Sequence, residues 1–451
     1  MSKQAKTIPE LKSVDEESEF WDKHSAVEFL DEDSVVEIDA SRAREKRDKA
    51  SMLSRFLRSA CIAASLAVLC LCSSPPGGAV TVRKLTVPRT AAENDRQRGV
   101  DICVGRDGRL MVVWAEGEIE AQRVYFSQSN DGGKSFAAPV PVNPTADALL
   151  HGRERTAVVR ADAKGNAYVL WARTATANVS FLVSRSTDKG KSFSPPVSAH
   201  PSTPVTARDL GDMDVSAEGV VLVAWLQTRV RADGGGQAPV DIYAARSQDG
   251  GVTFQAPVRV DETVCECCSP AVSAIGRDTF FVAWRDLADN IRDIRYAVST
   301  DSGRSFAPSQ WVARDGWRLD MCPMSGPVLA SSPDGVLASW MEAAQGSPNV
   351  HLSLLKQDKS PKALDIPGKG RNQPAIAAGP SGQVAVASRS DRGIDVVLPA
   401  GVGRASAESI SVSTTGSYPK IAFLNERAIA VAWQDDASGR IGLAVVELDR
   451  K

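Results

Sequence analysis

Two short clusters of sulfur-containing residues could do chemistry in this chain. They are the segments Cys265–Cys268 (CECC) and Met321–Met324 (MCPM). Thiolates and thioethers are soft ligands that suit Cu(I) better than hard cations, and the Cys-x-Cys-Cys spacing is too tight for a zinc ribbon. The clusters therefore predict a soft-metal site, with copper as the favoured ion. The candidate ligands are Cys265, Cys267, Cys268, Cys322, Met321 and Met324.

The same cysteines could instead form disulfides. Five cysteines remain outside residues 52–79, so at least one of them has no partner within the chain. In an oxidising compartment, Cys322 bonded to Cys267 or to Cys268 would connect the two segments, whereas a vicinal Cys267–Cys268 bond would be strained. The fifth cysteine, Cys103, lies on the first inner strand and is expected to be a buried small hydrophobe and not a ligand.

A repeated strand pattern covers most of the chain. Short runs rich in β-branched and aromatic residues recur seven times, several of them after an Asp-Gly or Glu-Gly turn, as is typical of β-strands. Their last residues, spaced 57, 54, 59, 56, 48 and 45 residues apart, are Trp114, Trp171, Trp225, Trp284, Trp340, Ser388 and Trp433. A period of about 50 residues in an all-strand pattern predicts an all-β propeller with four strands per blade. We expect seven blades, with six as the alternative because the last two repeats are short.

The ends of this array predict how the ring closes. The last repeat stops after its third strand, Ile441–Leu448, while Val80–Val87 is an extra strand at the other end. Pairing the two would remove an exposed sheet edge at the seam. In the same repeat register, the two sulfur segments stand at equivalent positions just before the innermost strands of blades four and five. They should therefore meet at the mouth of the central channel.

A turn motif, S-x-D-x-G-x-[ST]-F, occurs between the third and fourth strands of the first four blades. The copies are Ser129–Phe136, Ser186–Phe193, Ser247–Phe254 and Ser299–Phe306. Asp in such a turn binds local backbone amides and Gly takes a positive φ, so these carboxylates are expected to be structural. They are Asp131, Asp188, Asp249 and Asp301. With these motifs, roughly residues 80–451 resemble the sialidase (neuraminidase) superfamily, whose Asp-boxes (BNR repeats) have this pattern.

The resemblance implies an exo-sialidase as one alternative. Members of that superfamily hold the substrate carboxylate with three arginines and use a tyrosine nucleophile with a Glu partner and an Asp acid/base. Residues at the mouth that could take these roles are Arg98, Arg155, Arg208, Arg371 and Tyr418. The superfamily's Arg-Ile-Pro type motif is missing, however, because Gly99 and Val100 follow Arg98. No Glu pairs clearly with Tyr418, and the Asp is not assigned.

A second alternative is a non-catalytic module in which the cysteines are structural disulfides and the ring presents loops to a glycan or a protein. The formal net charge of −2 argues against a nucleic-acid partner, because binding phosphates needs a surplus of basic residues. We expect a monomer with a small polar ligand or a glycan as its partner.

The first 79 residues differ in composition from the repeat array. Residues 1–51 are polar and charged, which predicts a disordered extension, and Met52 fits the true start of the protein. Residues 52–79 combine two arginines, a short apolar run and small residues, as in a signal peptide. The expectation is export to the periplasm or the medium, without a transmembrane domain in the mature form. A short membrane anchor at residues 56–72 is the alternative.

Overall fold

A computed structural model describes most of the chain after residue 79. The described residues are 80–87, 90, 96–118, 121–146, 157–175, 178–200, 207–229, 238–344, 346–366, 369–399, 407–435 and 437–448. All of them belong to one compact unit, Gly77–Lys451. The segments 1–51 and 52–79 lie outside the described residues, so the extension and the export signal stay predictions. Within the described part of the chain, no helix is long and apolar enough to cross a membrane.

In the described residues, twenty-eight β-strands form seven antiparallel sheets of four strands each. Blade one is β2(Gln97–Val104), β3(Leu110–Glu118), β4(Ala121–Ser129) and β5(Val140–Pro141). Blade two is β6(Ala157–Ala161), β7(Ala167–Ala175), β8(Asn178–Ser186) and β9(Val197–Ser198). Blade three is β10(Ala207–Val215), β11(Val221–Thr228), β12(Val240–Ser247) and β13(Val258–Asp261). Blades four and five are β14(Ala271–Ile275), β15(Thr279–Arg285), β16(Ile294–Ser299), β17(Gln310–Ala313); β18(Val328–Ser332), β19(Gly335–Glu342), β20(Asn349–Lys356), β21(Lys359–Leu364). Blade six is β22(Asn372–Ala378), β23(Val384–Ser390), β24(Gly393–Leu398), β25(Glu408–Ser413). Blade seven combines β26(Ser417–Asn425), β27(Ala428–Asp435) and β28(Arg440–Glu447) with β1(Thr81–Lys84).

The blades form a closed ring. The first strand of each blade is innermost and contacts the first strands of both neighbouring blades, and β2 of blade one lies against β26 of blade seven. These inner strands line a central channel. Seven sheets confirm the prediction of an all-β, seven-bladed propeller, and the six-bladed alternative is wrong.

Strand β1 closes the ring as predicted. It pairs antiparallel with β28, from Thr81 opposite Glu447 to Lys84 opposite Ala444, and so supplies the outer strand that the last repeat lacks. The paired segment is shorter than the predicted Val80–Val87, but Val80 and Val82 still pack against the core between blades six and seven. The strand thereby covers the outer edge of β28, which would otherwise be open to pairing with another chain.

The hydrophobic core is divided among the seven junctions between blades. Seven buried clusters are present in the described residues, and each combines side chains from two adjacent blades. The tryptophans in the second strands of the first four blades are at most 1% exposed and lie in these junctions. They are Trp114, Trp171, Trp225 and Trp284. The residues that marked the sequence repeat therefore also hold neighbouring sheets together.

Candidate functional site

The two sulfur-containing segments meet in space. Cys265–Cys268 lies between β13 and β14, and Met321–Met324 lies between β17 and β18, so both lead into inner strands of adjacent blades. A disulfide joins Cys267 to Cys322, with their Cα atoms 6.2 Å apart. Cys265 and Cys268 are thiols.

Three cysteine sulfurs form a compact triangle at this junction. Cys265 Sγ lies 3.5 Å from Cys268 Sγ and 3.6 Å from Cys267 Sγ, and the Cys267 and Cys268 sulfurs are 4.0 Å apart. Cys265 and Cys268 are each 1% exposed, whereas Cys267 and Cys322 are half-buried. In the described part of the chain, this is the one group of three or more Cys, His, Asp or Glu residues whose potential ligand atoms converge.

Two buried arginines, which the sequence analysis did not identify, lie next to the triangle. Arg292 is 8% exposed, and its Nη1 donates a hydrogen bond to Cys265 Sγ at 3.3 Å. Arg285 is 1% exposed and donates to the carbonyl oxygens of Ser325, Arg292 and Met341. Among the described residues, neither guanidinium has a carboxylate oxygen within 4.0 Å. The Asp293 carboxylate, which is also buried, interacts electrostatically with Arg285, and both arginines act on Cys265. Their positive charge favours an anion at the sulfur triangle.

Electrostatics at Cys265 agree with this charge requirement. The hydrogen bond with Cys268, together with the Arg292 charge, lowers the pKa of the Cys265 thiol below its usual value although burial opposes ionisation. Cys103 behaves differently, because burial raises the pKa of its thiol to about 12. A thiolate is therefore expected at Cys265, and a protonated thiol at Cys103.

The two methionines lie on the exposed part of the site. Met321 is 69% exposed and Met324 is 47% exposed, on either side of Cys322. Met324 has a φ of 50°, and its backbone N–H donates to Cys322 Sγ at 3.4 Å. The structure thus brings the four cysteines together and leaves both methionines facing solvent at the rim.

The candidate substrate-binding arginines are in different environments. Arg98 is half-buried in β2, next to Gly99, which has a φ of 60°. Arg155 lies outside the described residues, and of Arg208 only its backbone, in β10, is described. The carboxylate-binding role of these three arginines therefore stays a prediction.

Arg371 is held inside blade six. It is 4% exposed, its Nη1 lies 3.2 Å from Asp395 Oδ2, and it donates to the hydroxyls of Ser388 and Ser409. Asp395 is buried as well. The guanidinium therefore links three strands of one blade.

Tyr418 stands at a strained position. Its φ is 50°, it is half-buried, and its backbone N–H donates to Gln373 Oε1 at 2.9 Å. Gln373 also has a φ of 50°. Gln373 lies in a bulge where β22 pairs with β23, and Tyr418 lies in a bulge where β26 pairs with β27. Such strain is concentrated at functional sites in proteins, because the surrounding structure must hold it in place.

The four Asp turns share one geometry at the opposite end of the strands. In the second copy, Asp188 Oδ1 accepts from the Ser186 hydroxyl at 2.8 Å and from the Ser192 amide at 3.0 Å. Hydrogen bonds from Ser192 and Ser186 lower the pKa of Asp188 to about 2. Each of the other three carboxylates, Asp131, Asp249 and Asp301, binds its own turn in the same way. These contacts are internal to the turn.

The central channel contains a cavity of about 710 Å³ lined by the inner strands. Arg160 crosses it on one side, with nitrogens 2.8 Å from Asp101, 3.3 Å from Asp212 and 3.7 Å from Asp214. Burial raises the pKa of Asp214 to about 6. Asp101, Asp212 and Asp214 also accept backbone N–H groups of a neighbouring blade, so this network ties blades together.

Comparisons with known proteins agree with this architecture. No protein-family model matches the sequence, and no curated protein sequence matches it significantly. The structure is similar to an α-L-arabinanase from Penicillium chrysogenum complexed with arabinobiose: the TM-score is 0.50, identity is 13%, and the match covers 81% of this chain and 98% of that chain. For a Hadza microbial sialidase the TM-score is 0.48 and the identity 13%, and the match covers 78% of this chain and 66% of that chain. For a Streptococcus pneumoniae sialidase the TM-score is 0.45 and the identity 9%, and the match covers 81% of this chain and 70% of that chain. By its fold, this chain is a sialidase-like, seven-bladed β-propeller.

Proposed function

We propose that the reduced cysteine cluster at the mouth of the propeller binds one soft metal ion, Cu(I). The observation that carries this proposal is the pair of buried guanidinium groups, Arg285 and Arg292, beside three converging sulfurs. Bound thiolates place negative charge beside these buried cations, and thiolates prefer Cu(I) over hard cations.

The spacing of the sulfurs supports this assignment. The centre of a triangle with sides of 3.5, 3.6 and 4.0 Å lies about 2.1 Å from each sulfur, and metal–thiolate bonds are about 2.3 Å long. An ion slightly above the plane would thus reach all three without moving the backbone. Without reduction, Cys265 and Cys268 are the thiols available, and reduction of the Cys267–Cys322 disulfide adds a third ligand.

The test is an anaerobic titration of the full chain with Cu(I) against a competing chelator, before and after reduction. We expect about one copper per reduced chain and weaker binding by the oxidised chain. Cys265→Ser and Cys268→Ser should each abolish stoichiometric binding, and Cys103→Ser is the matched control. Equal copper content in Cys265→Ser and wild type, or none in reduced wild type, would reject the metal site.

A disulfide and a soft-metal site both fit a protein that works outside the cytoplasm. Disulfides persist in oxidising compartments, so the Cys267–Cys322 bond supports the proposed export to the periplasm or the medium. Fusion of residues 52–79 to a reporter enzyme that works only after export tests this directly. A reporter that stays in the cytoplasm and is therefore inactive would contradict the proposed export.

A small polar ligand, such as a glycan, is a second candidate. The observation in its favour is the channel cavity of about 710 Å³, a volume within the range of small-molecule sites. Thermal unfolding with arabino-oligosaccharides and sialyllactose tests it. A saturable rise in the unfolding midpoint supports a glycan site, and no shift at millimolar concentration rejects it.

Sialidase chemistry is less well supported by the geometry. To bind a substrate carboxylate, Arg371 would have to break its ion pair with Asp395 and leave a buried carboxylate without a counter-charge. That rearrangement is costly. We therefore rank metal binding first.

A further inference from the structure

The four cysteines are arranged in two pairs that differ in access to solvent. Cys267 and Cys322 form a half-buried disulfide, and Met321, next to Cys322 in the chain, is 69% exposed. Cys265 and Cys268 form a dithiol with Cys-x-x-Cys spacing, and each is 1% exposed. A reactant in solvent can reach the outer pair, whereas the fold covers the inner pair.

The sulfur distances connect the pairs. Cys265 Sγ lies 3.6 Å from the disulfide sulfur of Cys267 and 3.5 Å from Cys268 Sγ. The N–H that Arg292 donates to Cys265 Sγ stabilises a thiolate there, and the thiolate is the nucleophile in thiol–disulfide exchange. One sulfur therefore stands within reach of both partners that an exchange would need.

We infer that these cysteines form an internal thiol–disulfide relay, in which the buried Cys265/Cys268 dithiol and the half-exposed Cys267–Cys322 disulfide interconvert. This activity goes beyond metal binding and does not depend on it. A disulfide reactant in solvent thereby oxidises the buried pair through the outer pair, and a dithiol reactant reduces it by the same route.

The exchange proceeds in two balanced steps. The Cys265 thiolate forms a bond to Cys267 Sγ, the Cys267–Cys322 bond breaks, and Cys322 leaves as a thiolate that takes a proton from water. The Cys268 thiol then loses its proton, its thiolate bonds to Cys265 Sγ, and Cys267 leaves as a thiolate. The inner pair has lost two electrons and the outer pair has gained them. A disulfide reactant, such as oxidised glutathione, can then reoxidise the outer pair and release two thiols.

The test follows each cysteine of the full chain by acid quenching, isotope-coded alkylation and mass spectrometry. The protein is kept with metal chelators and exposed to oxidised glutathione. In wild type we expect a Cys265–Cys268 disulfide to appear. Cys268→Ser should instead accumulate a Cys265–Cys267 bond, and Cys103→Ser should behave as wild type.

The decisive comparison uses the double variant Cys267→Ser/Cys322→Ser, which keeps the buried dithiol and removes the outer pair. Its inner pair should oxidise at least tenfold more slowly than in wild type, with an unchanged circular dichroism spectrum. Equal rates in the two proteins would overturn the relay. So would wild-type Cys265 and Cys268 that remain thiols while the outer pair equilibrates with glutathione, a result that needs no variant to fold.

Discussion

At the scale of single residues, the mouth of the propeller is defined by its charges as much as by its sulfurs. Arg292 is buried and lies 3.3 Å from Cys265 Sγ, and the charge of the buried Arg285 also acts on Cys265. Among the described residues no carboxylate oxygen lies within 4.0 Å of either guanidinium. Burying a lone ion costs several kcal/mol, so a thiolate here is stabilised by its surroundings. This arrangement explains why Cys265 differs from the isolated thiol of Cys103.

Replacing Arg292 by Gln should weaken copper binding while the fold remains. Gln carries no charge, and its amide nitrogen ends two bonds short of the Arg292 Nη1 that donates to Cys265 Sγ. Loss of a group that orients a metal ligand typically costs at least about tenfold in affinity. A Cu(I) competition titration measures the effect. Arg318→Gln, on an exposed side chain nearby, is the control and should bind as wild type does. Equal affinities for both variants would show that the Arg292 charge has no role.

At the scale of elements, two loops from adjacent blades create the site because they approach each other very closely. Gly326 follows the Met321–Met324 segment, and a Cβ at this position would lie 2.0 Å from the carbonyl oxygen of Ser269, next to Cys268. Only a glycine allows these loops to pack at this distance. The geometry of the sulfur triangle therefore depends on a residue that carries no functional group.

Gly326→Ala should separate the two loops. The expected result is at least a tenfold loss of copper affinity in the reduced protein and a more easily reduced Cys267–Cys322 bond, since overpacking forces backbone shifts. Titration with a dithiol and thiol counting measure the second effect. Gly346→Ala is the control for backbone strain without a clash, because the φ of Gly346 is 83° but nothing lies within 4 Å of the added Cβ. If both variants behave alike, the close contact is irrelevant to the site.

The Asp turns predict how stability depends on acid. The pKa of Asp188 is about 2 in the folded protein, below the roughly 3.9 of an unfolded chain. The folded state therefore binds fewer protons, and the turn's contribution is complete above about pH 4 and is lost as the pH falls towards 2. Urea unfolding between pH 2 and 5 should show this decline.

Asp188→Asn should make that acid response less steep, because the amide has no proton to gain while the three other Asp turns still titrate. Asp358→Asn, in the turn between β20 and β21, serves as the control and should keep the wild-type slope. A slope in Asp188→Asn as steep as in wild type would contradict the structural role of the turn.

At the scale of the whole molecule, the ring is held by seven similar junctions and one strand that closes it. The repeat of short strands, six with a tryptophan and one with Ser388 at the equivalent position, predicted the number of blades, and each tryptophan marks a second strand and fills a junction. The missing fourth strand of the last repeat predicted β1. The meeting of the two cysteine segments also followed from the repeat register, because equivalent positions in adjacent blades are neighbours in space.

The finer contacts of the site could not be predicted from the sequence. Cys267 and Cys268 are adjacent, and the repeat register does not say which of their side chains faces Cys322. Arg285 follows Trp284 where other blades have Ala115 or Ala172, and this unusual residue was the available signal for a buried cation. The partner of Arg371, Asp395, lies on a different strand of the blade, so its burial depended on tertiary packing.

Removing β1 should destabilise the ring. Residues 80–87 contribute Val80, Val82, Leu85 and Val87 to the cores beside blade seven, and loss of these partly buried side chains should cost about 4 kcal/mol. A chain lacking these residues should unfold at a lower temperature and associate through the open edge of β28. Calorimetry and sedimentation measure both, with a chain beginning at Gly77 as the control. A truncated chain that is monomeric and unfolds at the same temperature would contradict the closure.

The most direct test of the central claim is X-ray absorption at the copper K-edge of the reduced, Cu(I)-loaded protein. We predict that sulfur atoms alone surround the copper, two or three of them at about 2.3 Å, and that this shell is lost in Cys268→Ser. A shell of nitrogen or oxygen atoms, or an unchanged spectrum in that variant, would contradict a copper site at the mouth of the propeller.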